Sequence, residues 1–156
     1  MKRIKIFILT VGLFAAAALI CPAQNKPRVS ALEAKIFYQN TGTFSGDAIT
    51  GKVDLWNSPF DSSYSTLVLV KLSDLPPYLR KNLRVELSAR YVPFDREKGS
   101  LNVRQVEIIR NGTENGLAYA AFWLKNTGCN PVHLTARLVG RGQPLVRETV
   151  RFGCGE

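Results

Sequence analysis

Alternation of apolar and polar side chains constrains this chain more than any other feature. Val85, Leu87, Ala89 and Tyr91 alternate with Arg84, Glu86, Ser88 and Arg90. A period of two places one set on a buried face and the other on a wet face of a β-strand. The pattern recurs where Leu32, Ala34, Ile36 and Tyr38 alternate with Glu33, Lys35 and Gln39, and where Val132, Leu134, Ala136 and Leu138 alternate with His133, Thr135 and Arg137. Val146, Val150 and Phe152 share a face opposite Arg147, Thr149 and Arg151. Residues 51–56, 66–72, 103–109 and 117–125 carry nearly continuous apolar runs. Such runs predict strands that are central in a sheet or buried on both faces.

Turn-forming residues separate these runs: Asn40-Thr41-Gly42, Asn57-Ser58-Pro59, Asn111-Gly112, Asn115-Gly116 and the stretch 140–144 among them. About eight strands at this spacing, without a helical period, predict an all-β antiparallel sandwich of immunoglobulin-like type, with a small β-barrel as the alternative. Pro76-Pro77 and Tyr78-Leu79 interrupt the strand pattern and suggest a short helical turn within 73–81. Phe122-Trp123-Leu124-Lys125-Asn126-Thr127-Gly128, followed by Asn130-Pro131-Val132-His133-Leu134, resembles the strand, Asn-Thr-Gly turn, strand unit of immunoglobulin-like modules in exported bacterial proteins. That resemblance implies the fold and no activity.

The start of the chain reads as an export signal. Lys2, Arg3 and Lys5 precede an apolar run over 6–20, followed by Cys21-Pro22-Ala23-Gln24. The run is shorter than the roughly 20 residues of a spanning helix, and small residues at 21 and 23 suit cleavage after Ala23. The expected organisation is a cleaved signal over 1–23 and a single β domain over 24–156, periplasmic or secreted. A lipoprotein anchored through Cys21 is the alternative, disfavoured by the bulky Ile20 before it. Cleavage leaves Cys129 and Cys154, and an oxidising compartment permits a disulfide between them. A hairpin turning near Arg141-Gly142 brings both to its open end.

Of the 21 basic side chains, three lie in the signal, leaving 18 against 12 acidic ones, a net charge of +6. A modest positive excess suits solubility or an anionic partner. Without a basic run, nucleic acid is not an expected partner. Matching buried faces in the last hairpin pairs Leu138 with Val146, Leu134 with Val150 and Val132 with Phe152. Arg137 then stands opposite Arg147, and His133 opposite Arg151. Like charges across a ladder are unfavourable, so Arg137, Arg147 and Arg151 form a candidate anion-binding face, or else a charged guard against edge pairing.

Trp56, Phe60 and Tyr64 surround the polar loop 57–63, with Phe44 in an earlier loop. They make a candidate aromatic binding loop, although Trp56 better suits closing one end of the core. Trp123, inside a strand, is expected in the core near the disulfide. Asp47, Asp54 and Asp61 flank neighbouring loops, but their spacing matches no calcium-loop motif, and Asp47 and Asp61 suit turn hydrogen bonds instead. Asn111-Gly112-Thr113 fits a glycosylation sequon and reads most simply as a hairpin turn.

Catalytic groups are scarce. His133 is the one histidine, serine has no Gly-x-Ser-x-Gly context, and bridged cysteines offer no thiolate. The expectation is therefore a non-catalytic binding or structural module of the bacterial envelope or exterior, with no cofactor or metal. Its partner would be a protein, a polysaccharide or an anionic membrane or cell-wall surface. A small exported enzyme assembled from dispersed residues is the alternative, since the members of a catalytic triad meet only in space.

Overall fold

A computed structural model describes residues 26–39, 41–51, 53–54, 65–93, 99–127, 129–140 and 142–153. Among the described residues, ten strands form in chain order: β1 (Arg28–Tyr38), β2 (Thr43–Phe44), β3 (Val53–Asp54), β4 (Ser65–Ser73), β5 (Leu83–Tyr91), β6 (Leu101–Ile109), β7 (Ala118–Leu124), β8 (Val132–Leu138), β9 (Val146–Val150) and β10 (Phe152–Gly153). One antiparallel sheet has the order β2-β1-β4-β7 and the other β6-β5-β8-β9, while β10 pairs with β3 in parallel. The chain changes sheet between β4 and β5, between β6 and β7, and between β7 and β8. This is the all-β sandwich of antiparallel sheets that the alternation predicts. Two separate sheets sharing one core rule out the closed barrel.

The core is built from the predicted apolar sets. Ala34 and Ile36 of β1, Val68, Val70 and Leu72 of β4, and Phe122 and Leu124 of β7 meet Val85 and Leu87 of β5, with Val132 and Leu134 of β8, across the sandwich. Burial follows strict alternation along β4 and β8. Thr66 and Thr127 are fully buried polar residues, and their hydroxyls bond to each other. A buried donor or acceptor left unpaired would cost about 1–3 kcal/mol. Thr127 belongs to the Asn-Thr-Gly turn, where Asn126 takes a left-handed φ of 55° that asparagine tolerates better than most residues.

Three sequence expectations need correction. The apolar run 66–72 is central, as β4, but the runs within 103–109 and 117–125 form β6 and β7, which stand at the ends of their sheets. Val106 and Ile108 face solvent. Apolar content alone does not distinguish a central strand from an edge strand whose outer side is covered only in part.

No helical turn forms over 73–81. Leu75 is buried and donates its N–H to the Gly116 carbonyl at 3.1 Å, while Pro76 and Pro77 have no N–H to give a helix. Nor is Asn111-Gly112 a hairpin turn, because β6 and β7 lie in different sheets. Gly112 is needed for close approach: a Cβ there would lie 2.2 Å from the Pro76 carbonyl oxygen and 2.3 Å from that of Pro77.

Candidate functional site

The β8–β9 hairpin carries the candidate anion-binding residues, and its register differs from the expected one by two residues. Val132 pairs with Val150, His133 with Thr149, Leu134 with Glu148, Thr135 with Arg147 and Ala136 with Val146. A slip of two keeps every side chain on its own face, so the hydrophobic pattern cannot detect it. Packing decides instead: Val132 and Val150 are both fully buried opposite each other, and Phe152 runs on to pair with Val53. Gly140 and Gly142, with φ of 78° and 55°, shape the connection. The predicted oppositions of Arg137 with Arg147 and of His133 with Arg151 therefore do not occur.

The three arginines part company. Arg137 lies directly opposite Glu86 on β5, and Arg104 reaches the same carboxylate from β6. Arg137 Nε donates to Glu86 Oε1 at 2.9 Å, its second nitrogen approaches that oxygen at 2.8 Å, and Arg104 holds Oε2. Only 4% of Glu86 is exposed. Burial by itself would push its carboxyl up, but hydrogen bonds and positive charge from Arg104 and Arg137 outweigh that effect and hold it below the usual carboxylate range.

Arg147 and Arg151 remain together. With His133 and Thr149 they line an open concavity of about 660 Å³ along β9, closed on its far side by the loop 48–51. His133 Nδ1 lies 3.2 Å from the Thr149 hydroxyl. Among the described residues, neither Arg147 nor Arg151 has a carboxylate within ion-pairing range. Glu148 also borders the concavity, but alternation turns it to the opposite face of β9 from Arg147.

Asp47 fixes the far wall. Its Oδ1 accepts from the Ala34 N–H at 2.9 Å and the Ile49 N–H at 3.2 Å, and its Oδ2 from the Thr50 hydroxyl at 2.8 Å. Burial pushes this carboxyl up, and these hydrogen bonds more than reverse the effect, leaving it below its ordinary value. Ser45 Oγ accepts from the Ile36 N–H in the same manner, so two side chains close the outer edge of β1. Asp47 thus serves the turn, as its type predicts. Asp61 and the side chain of Asp54 lie outside the described residues.

The aromatic loop of Trp56, Phe60 and Tyr64 also lies outside the described residues. A different aromatic cluster forms on the outer face of the first sheet. Phe37 of β1, Phe44 of β2 and Trp123 of β7 have ring centroids 5.2 to 6.0 Å apart. Trp123 is not a core residue: 45% of it is exposed. Ala120, Phe122 and Leu124 occupy the inward positions of β7, which sends Tyr119, Ala121 and Trp123 outward. The parity of β7 carried that signal, because Phe122 and Trp123 cannot both point inward.

Cys129 follows the Asn-Thr-Gly turn with a φ of 48°, and Cys154 lies outside the described residues. Among the described residues, no helix is long and apolar enough to cross a membrane. No protein-family model matches this chain, and no curated protein is detectably similar to it.

Proposed function

We propose that this protein is a non-catalytic, exported binding module of the bacterial envelope or exterior, and that it holds an anionic group at Arg147 and Arg151. The observation that carries this reading is the contrast among its arginines. Arg104 and Arg137 are taken up by Glu86, whereas Arg147 and Arg151 share a concavity in which, among the described residues, no carboxylate comes within ion-pairing range of them, Glu148 at its border being turned to the other face of β9. Guanidinium groups present planar, forked donors that match carboxylate and phosphate oxygens. Thr149 and His133 add hydroxyl and imidazole partners on the same face. The ligand is thus a phosphate-bearing or carboxylate-bearing polymer or surface.

Export rests on the leader over 1–23, and a Cys129–Cys154 disulfide belongs to the same reading. Removal of the leader leaves Cys129 and Cys154, and an oxidising compartment permits a bond between them.

The test compares R147Q/R151Q with R137Q. Each is assayed for retention on anionic liposomes and on anionic cell-wall polymer at low and moderate salt. Wild type and R137Q bind one of the two surfaces, with affinity falling as salt rises, and R147Q/R151Q does not. The surface retained tells a lipid ligand from a wall polymer. If wild type binds neither, or R147Q/R151Q binds equally well, the arginines are a solvated strand surface and no more.

A further inference from the structure

We propose that the outer face of the β2-β1-β4-β7 sheet is the interface of a homodimer, formed by two copies packing this face against itself. It lies on the opposite sheet from the arginine concavity and is independent of it. Two adjacent rows cross the face. One runs Glu33, Leu69, Ala121, and the next runs Lys35, Leu67, Trp123. Phe37 and Phe44 flank the second row and pack on the indole. Their rings are inclined to one another by 41° to 89°. That ridged surface offers no flat platform for a stacked ligand, but it suits the interdigitation by which two sheets pack face to face.

The two rows are complementary to each other. A two-fold axis lying in the face, across the strands and between the rows, lays each row on the other row of the second copy. Glu33 then meets the partner subunit's Lys35, Leu67 meets the partner subunit's Leu69, and the large Trp123 falls over the partner subunit's small Ala121. Among the described residues, neither Glu33 nor Lys35 has an ion-pair partner within its own chain. A patch of a single sign would call for a partner of the other sign. This one carries both signs and both sizes in the order that an isologous contact requires.

Sedimentation velocity on the full chain as the cell processes it, across a concentration series, tests the proposal. Wild type shows a monomer–dimer equilibrium. Ala121 is exposed, so A121R folds with unchanged circular dichroism and weakens the dimer roughly tenfold or more by filling the site of the partner's indole. E33K weakens it by setting lysine on lysine, and E33K/K35E restores it by exchanging the two signs. A wild type that stays monomeric up to roughly millimolar concentration, an A121R chain that dimerises as well as wild type, or an E33K/K35E chain no better than E33K overturns the proposal.

Discussion

Glu86 and Arg137 face each other directly across the β5–β8 ladder, with Arg137 Nε 2.9 Å from Glu86 Oε1. The carboxylate is buried while both of its arginines reach solvent. Glu86→Gln therefore removes the charge that both guanidinium groups contact without stranding a cation in the core, and should cost about 1–3 kcal/mol at neutral pH. The pH dependence follows from the depressed carboxyl. A depressed folded-state value contributes stability that is present above the unfolded value, about 4.3 for glutamate, and is lost as pH falls through the folded one. Urea melts at stepwise lower pH should show the gap between wild type and E86Q narrowing below about pH 4. A gap that does not change with pH would dissociate the ion triad from acid stability.

Gly112→Ala should be costly because its Cβ would lie 2.2 Å from the backbone oxygen of Pro76. Either the 110–117 connection or the Pro76-Pro77 segment must move, at about 2–3 kcal/mol. Gly46→Ala, with open space around its Cβ, should change stability by less than about 1 kcal/mol. Chemical denaturation of the two variants side by side checks the contrast.

Phe122 and Trp123 are neighbours in sequence with opposite fates. Phe122→Ala should cost about 3–5 kcal/mol by opening a cavity between the sheets. Trp123→Ala, on the outer face, should cost about 1 kcal/mol through lost ring contacts. Equal costs for the two would contradict the parity of β7.

The proposed Cys129–Cys154 bond should appear in non-reducing peptide maps of exported protein. It closes a loop of roughly 25 residues, and reduction should lower stability by about 3 kcal/mol in the chain-entropy treatment. Finding both thiols unmodified would remove the bond from the account.

The period-two patterns alone determined which side of β1, β5, β8 and β9 is buried. Val132, Leu134, Ala136 and Leu138, or Val85, Leu87 and Ala89, have one arrangement that hides them from water, a strand with its inner face on a core, which a sandwich and a barrel both provide. Register, neighbours and edges lay beyond that reach. Sliding β9 past β8 by two residues leaves every face unchanged, so only the fit of Val150 against Val132 and the onward pairing of Phe152 could choose between registers. Glu86 gathers arginines from two other strands, one 18 and one 51 residues away along the chain. That separation of Arg104 and Arg137 from Arg147 and Arg151 depends on which strands become neighbours. Trp123 lies outside for a related reason: one strand has one inward parity, Phe122 took it, and the opposing sheet had room for that ring. Local alternation is a property of a few consecutive residues and can be read from them, whereas strand pairing is settled by the packing of all of them at once.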